Sequence, residues 1–545
     1  MKKLHILVAV LLLAGAVFAL SACNKAPADP FTEILEFQKK DDGTYAVSIG
    51  DAYGLAEIKI PAVYKKKPVT EITYQGFQSR YLEKITIPDS VTSIGWGAFS
   101  GCTKLESITI PSGVTAIHAS TFENCASLTS VTMPKSITSI ESRAFFGCSS
   151  LNSIEIPDTV TEIGPYAFAE CIALETMTVP DTVQSIGYKA FFECKRLTSV
   201  HLPSALTSIS WGTFSGCLSL KSIVIPAGVT SIEYTAFANC MDLATVTMPD
   251  AIVSIGDQAF YGCSDLLSIT IPAGVISIGS SAFEKCHKLI EVINKSAFSM
   301  QAGENLSSYT TFYAKEVHSG ESKIKNENGY LFFFDGNTRY LIGYAGNSAE
   351  LILPESDDGE SYEIYAYAFY DRDSITKVTL PSAVTAIGAF AFADCENLLS
   401  ITIPAGIEEI GDSAFAHCQN LTSVAIGEGN EKIGNYAFSD CKNLISVTLA
   451  STTESIGKYA FQNCVALEGI TVPLKTAVIG EYAFSGCTGL ENAVFEKTES
   501  WWCAAPTDST FGTSIPKDHL NDPKTAASYL KTIYVERVWM FEKPK

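Results

Sequence analysis

Sulfur is the chemistry this chain repeats most often. Its 545 residues hold 16 cysteines, and Cys102, Cys125, Cys148, Cys171, Cys194, Cys217, Cys240, Cys263 and Cys286 follow one another every 23 residues. The interval breaks and then resumes with Cys395, Cys418, Cys441, Cys464 and Cys487. Thiols can bind metal, form disulfides or act as nucleophiles. Metal binding fits poorly, because no Cys-x-x-Cys occurs and the seven histidines never pair at ligand spacing. A repeat that supplies one cysteine per turn sets each thiol above its twin, all pointing the same way. The column therefore reads as buried thiols packing as small hydrophobes, with disulfides as the alternative that so many cysteines raise. Cys503, beside Trp501 and Trp502, stands outside the column.

Other catalytic patterns dissolve on inspection. Gly411-Asp412-Ser413 occupies the variable positions between Ile410 and Ala414-Phe415, where other copies of the repeat differ freely. His118, His201, His287 and His417 fall in four different columns of the repeat and do not converge. No glycine-rich phosphate loop and no His-Glu-x-x-His is present. The expectation is a chain that is not an enzyme, with no catalytic residue, no cofactor and no metal.

The repeat itself must position everything else. In Leu105 to Cys125, Leu105, Ile108 and Ile110 alternate with Ser107 and Thr109, the period-two pattern of a half-buried strand. Pro111 ends that strand. Val114 and Ile117 mark a second, shorter extended piece. A tight helical turn is expected to tuck Phe122 and Cys125 inward. The phenylalanine column runs through 16 repeats, ten from Phe77 to Phe283 and six from Phe369 to Phe484. Arg80 and Arg372 stand where the first repeat of each block would have its cysteine. A fixed period of this length is the signature of a solenoid, in which each repeat buries its apolar face against its neighbours. The predicted fold is a repeat solenoid, mainly β with short helical turns.

The divisions expected along the chain are an export signal over 1–22, a tether over 23–30 and an N-terminal cap over 31–76. Repeat blocks follow over 77–290 and 362–496, separated by a β-rich insert over 291–361, and 497–545 forms a C-terminal cap. Within the insert, Asp335-Gly336 between two aromatic-rich runs predicts a hairpin. At the N-terminus, Lys2 and Lys3 precede an apolar run from Leu4 to Leu20, and Leu20-Ser21-Ala22-Cys23 resembles the bacterial lipobox, in which the cysteine becomes lipidated. That resemblance implies an exported chain held at the outer membrane or cell surface by a lipid on Cys23, its sole membrane contact.

The repeat pattern L-x-x-I-x-I-P-x-x-V-x-x-I-G-x-x-A-F-x-x-C, nearly unaltered at Leu151 to Cys171 and Leu398 to Cys418, resembles the BspA-like (treponemal-type) leucine-rich-repeat family of bacterial surface proteins. The resemblance implies a right-handed leucine-rich-repeat solenoid of 23-residue repeats with a continuous parallel β-sheet, and a surface role in adhesion, with extracellular proteins, host matrix or plasma proteins among them, as partners. The alternatives are self-association, adhesion between bacterial cells, or a glycan-binding or hydrolase site in the insert. The formal charge of −21 opposes nucleic acid or anionic lipid as a partner and favours a basic one.

Two sets of residues are candidates for recognition. The outward strand positions form an uncharged hydroxyl ladder: Ser107, Thr109, Ser130, Thr132, Thr176, Thr178, Thr245, Thr247, Ser268, Thr270, Ser400 and Thr402. Trp96 and Trp211 lie just past the inward isoleucines, where exposed aromatics could anchor an interface.

Overall fold

The computed structural model describes residues 30–304, 306–356, 358–504 and 512–541. Cys23 and the apolar segment before it lie outside the described residues. The chain divides into two compact units, one ending at Gly320 and the other beginning at Glu321, each with its own apolar core.

One coil of the first unit shows how the sequence builds the solenoid. Leu105, Ile108 and Ile110 are buried, while Ser107 and Thr109 face solvent from the strand Ser107–Thr109. This strand pairs parallel and in register with Ser130–Thr132. After Pro111 the Val114 N–H bonds back to the Pro111 carbonyl at 3.1 Å, closing a turn. The two-residue strand Ala116–Ile117 then pairs parallel with Ser139–Ile140. Each coil thus contributes to a face ladder and to a shorter second ladder.

The corner carrying the phenylalanine contains the expected tight turn, with the Cys125 N–H on the Phe122 carbonyl at 3.1 Å. It does not propagate as helix. Ser120 and Asn124, two residues either side of Phe122, take the left-handed conformation at φ 57° and 59°. Alternate amides leave the coil altogether: Ser120 and Phe122 donate to the Ser142 and Ala144 carbonyls of the next coil, at 2.9 and 2.8 Å. The corner is therefore a third line of hydrogen bonds between coils. The position two after the column phenylalanine is mostly Gly, Asn or Asp (Gly101, Asn124, Asp394, Asn463), residues that tolerate this conformation.

In the first unit the face ladder comes in pieces. Glu57–Lys59, Lys84–Thr86, Ser107–Thr109 and Ser130–Thr132 form one sheet. Thr176–Thr178 pairs with Ser199–His201, and Ser222–Val224 with Thr245–Thr247. Ser268–Ile271, Glu291–Asn294 and Glu316–His318 close the unit in parallel. No strand forms at Ser153–Glu155, although the sequence pattern there matches its neighbours. At the N-terminal end, Glu36–Lys39 runs antiparallel to Tyr45–Ser48.

In the second unit the face ladder is unbroken over seven strands, from Glu350–Ile352 to Asn492–Phe495. The other sheet opens with Lys325–Glu327, antiparallel to the first strand of the hairpin Tyr330–Phe334 and Arg339–Tyr344. At its tip Gly336 sits at φ 97°, and the Asp335 carboxylate accepts the Asn337 and Thr338 amides at 2.8 Å each. This sheet finishes with Val538–Phe541 antiparallel to both Val478–Ile479 and Trp501–Ala504. Residues 291–361 thus supply strands to both units. Cys503 is buried in the last layer, paired in register with Trp539.

Small departures from the repeat are explained locally. Ser136, Thr159 and Thr182 each precede the inward valine or isoleucine of their coil. Their hydroxyls donate to the Val114, Ile137 and Val160 carbonyls one coil back, at 2.5, 2.6 and 2.8 Å. In the second unit Gly429 holds this position and has nothing to donate. The next residue, Asn430, supplies the bond instead, its Nδ2 reaching the Ile407 carbonyl at 3.3 Å. Lys475 likewise is relieved by Thr476, whose hydroxyl donates to the Thr453 carbonyl at 2.8 Å. Thr453 has no such task, because Thr452 already serves the Asn430 carbonyl at 2.9 Å, and its own hydroxyl is buried without a partner. Thr453→Val should therefore raise stability by about 1–2 kcal/mol, and Thr476→Val should lower it by about 1–3 kcal/mol. Guanidinium unfolding midpoints of the two variants decide this. Shifts of the same sign would refute the assignment.

Candidate functional site

The thiol column was the first candidate for chemistry, and its geometry makes it structural. All 15 described cysteines are buried, and no disulfide joins any of them. Each column thiol donates to the carbonyl of the phenylalanine one coil earlier: Cys125 to Phe99 at 3.2 Å, Cys217 to Phe191 at 3.2 Å, Cys441 to Phe415 at 3.1 Å. The same carbonyl accepts the amide of its own coil's cysteine, as Phe99 does from Cys102 at 3.0 Å. This explains Arg80 and Arg372. A cysteine in the first coil of a block would have no earlier phenylalanine carbonyl to meet. Burial pushes the Cys102 thiol up to about 11 and Cys171 to about 12, and raises Cys194, Cys240 and Cys418 strongly as well. Burial and the upward shift make these sulfurs poor thiolates, and thus poor nucleophiles, at neutral pH. Among the described residues no group of three or more His, Cys, Asp or Glu could hold a metal ion.

An acid, an imidazole and a hydroxyl do meet at the end of the first unit. Glu291, fully buried, takes the Ser268 hydroxyl on one carboxylate oxygen at 2.8 Å, and His318 Nε2 lies 2.9 Å from the other. The hydroxyl is on the carboxylate and not on the imidazole, so the three groups do not form a hydroxyl–imidazole–carboxylate relay. Gly411-Asp412-Ser413 is a corner: Ser413 is left-handed at φ 54°, and Asp412 accepts the Asn435 amide at 2.7 Å.

The candidate face is a hydroxyl lattice open to water. Ser107, Thr109, Ser130, Thr132, Thr176, Thr178, Thr245 and Thr247 are on the solvent side of the first unit, apart from the partly shielded Ser268 and Thr270; Ser400 and Thr402 are exposed on the second. In-register pairing stacks like on like, Ser107 beside Ser130 and Ser400 beside Ser423. Where the ladder is missing, a depression of about 610 Å³ opens, lined among others by Ser130, Ser153, Glu155, Thr176 and Thr178. A second, of about 560 Å³, adjoins it over Thr178, Ser199, His201 and Val224. The arrangement offers hydrogen-bond donors and acceptors over many coils, with Glu155 and His201 as the ionisable groups among those named.

Trp96 and Trp211 are exposed at the corners. Trp211 is not isolated. Tyr166, Tyr188, Trp211 and Tyr234 follow one another on successive coils, with ring centres 5.3, 5.7 and 6.2 Å apart. Tyr436, Tyr459 and Tyr482 form a tighter stack in the second unit at 4.7 and 4.8 Å. The tryptophans alone did not reveal these rows. Reading the corner positions as a column, tyrosines included, would have done so.

Among curated proteins none matches the chain. A solved leucine-rich repeat protein from Bacteroides ovatus is 26% identical, over 81% of this chain and 94% of its own, with a TM-score of 0.41. A leucine rich cell surface protein from Faecalibacterium prausnitzii is 24% identical, over 88% of this chain and 97% of its own, at 0.29. A leucine-rich repeat protein of T. pallidum is 22% identical, over 45% of this chain and 91% of its own, at 0.29. The BspA type leucine rich repeat region matches in six copies over residues 70–198, 184–304 and 362–491. With more than half of its length so matched, the chain belongs to the BspA-type leucine-rich-repeat family.

Proposed function

We propose that this chain is a bacterial cell-surface adhesin that binds extracellular proteins, host matrix or plasma proteins among them, through the hydroxyl face of its solenoid. The observation that carries the reading is the run of solvent-facing Ser and Thr side chains, stacked in register on the paired strands and interrupted by few charges (Lys84, Glu155 and Lys377 among them) in an otherwise acidic protein. Charged side chains on such a face would have to be desolvated on binding, whereas hydroxyls exchange water for a partner's backbone groups at small cost. Export and attachment through a lipid on Cys23 place that face outside the cell.

The test is binding of the chain from Asn24 to Lys545 to immobilised matrix and plasma proteins, with salt titrated. Saturable binding that persists at moderate salt is expected, and so is its loss when Thr176 and Thr178 are both changed to lysine. In cells, Cys23→Ser should leave the membrane fraction while keeping the same binding. Failure to bind any member of the panel at micromolar concentration would count against the adhesin and turn attention to self-association.

A further inference from the structure

The corner row of the first unit is a second recognition surface, on a different part of each coil from the hydroxyl face. Tyr188, Trp211 and Tyr234 are 42%, 40% and 48% exposed, a high value for three large rings on consecutive coils. Tyrosine and tryptophan bring large contact area at low entropic cost and dominate binding hot spots. Their placement follows from the fold. Each ring stands one residue before the left-handed position of its corner (Lys189, Gly212 and Thr235), and stacking of coils brings one ring per coil into line.

What the rings bind within the chain identifies their partner chemistry. Lys189 Nζ lies 4.8 Å from the Trp211 ring centre and 5.7 Å from that of Tyr166. The Arg143 guanidinium lies 5.3 Å from Tyr166 and 4.9 Å from Phe146. Cations therefore already sit against this row at two points. Tyr234, at its far end, has no cation against it among the described residues. Carboxylates stand in the same corners: Glu233 accepts the Trp211 amide at 3.0 Å, and Glu170 is exposed two residues past Phe168. A formal charge of −21 adds long-range attraction for a positive ligand.

We infer that the row Tyr188, Trp211, Tyr234 docks an arginine-bearing segment of a partner protein, guanidinium planes lying against the rings and Glu170 and Glu233 facing their charge. Arginine fits better than lysine because its planar, weakly hydrated head stacks on aromatic faces. The surface adds to the adhesin reading without depending on the hydroxyl face.

The probe is a fluorescently labelled nonapeptide of alternating arginine and glycine, titrated into the full chain at moderate salt. The variant Tyr188→Ser/Trp211→Ser/Tyr234→Ser keeps every charge, so it separates ring recognition from general attraction to an acidic protein. At least a tenfold loss of affinity in this variant is expected, with unchanged circular dichroism, and a severalfold weaker grip on the lysine–glycine analogue. Equal affinity of wild type and variant would overturn the inference, as would no binding by either. Variant-sensitive binding of a neutral hexasaccharide in place of the peptide would overturn it in favour of a glycan. The Thr176→Lys/Thr178→Lys protein serves as the independent control: peptide binding kept while matrix binding is lost would show that the two surfaces stand or fall separately.

Discussion

Raising the pH from 8 to 10 under reducing conditions is expected to unfold the repeat units, with a steepness set by their thiols. In the folded chain burial holds Cys102 near 11 and Cys171 near 12, and the other shifted column thiols lie in the same upward direction. In the unfolded chain a thiol titrates at about 8.5. Between those values the unfolded state has released its protons while the native state keeps them. It binds fewer protons, so stability falls as pH rises. Below about 8.5 the contribution is complete, and it disappears as pH climbs toward the folded values. Each thiol accounts for about 1.4 kcal/mol per pH unit in that window. The first unit holds nine column cysteines, so about a dozen kcal/mol vanishes within one unit, comparable with the roughly 5–15 kcal/mol that stabilises an ordinary domain. Circular dichroism against pH measures the transition. Replacing Cys171, Cys194 and Cys217 by alanine should lower its proton stoichiometry by three. Stability that is level from pH 8 to 10 would refute the buried-thiol column.

Those same cysteines show why so much of this fold can be read directly. A 23-residue period imposes one environment on each column, and 16 repeats sample every column many times. Leu105, Ile108, Phe122 and Cys125 are buried as their alternation requires. The hairpin at Asp335-Gly336 is legible because few turns other than the primed types suit that pair between two strands. What escapes the pattern is whatever depends on the next coil. The thiol's bond to a carbonyl 26 residues earlier leaves no local trace. The left-handed corner looks like a helical turn when one repeat is read alone. Asn430 looks like an intruder in an apolar column until Gly429 and the Ile407 carbonyl are seen together.

The candidate sites divide in the same way. The hydroxyl ladder follows from strand alternation, and each of its members was identifiable by position. The breaks in that ladder did not follow, since Leu151 to Pro157 keeps the pattern and yet forms no strand. The aromatic row was half visible. Trp211 stands out by rarity, whereas Tyr188 and Tyr234 become significant once coil stacking sets them 5.7 and 6.2 Å from it. Position within a coil can be read from one repeat, but adjacency requires the superposition of several.

Stacking also governs the largest mutational effect expected. Phe191 is fully buried, its ring nearly parallel to Phe168 at 5.6 Å and to Phe214 at 5.4 Å. Truncation to alanine removes the side chain's burial and leaves a void between two rings that are held by their own coils' backbone bonds. They cannot close onto it. A loss of about 3–5 kcal/mol is expected, at the upper end of large-to-small core changes. Phe283 supplies the comparison, because its one stacked ring neighbour among the described residues is Phe260 at 5.3 Å. Phe283→Ala should cost measurably less. Denaturant unfolding separates the two contributions, since burial is the same at both sites and ring-on-ring contact is not. In a solenoid each coil is stabilised by its neighbours, so the central variant should also unfold over a broader range as coils on either side of the void part company. Equal losses at Phe191 and Phe283 would mean that each ring contributes through its own burial alone, and that the stack adds nothing to the cohesion of the repeats.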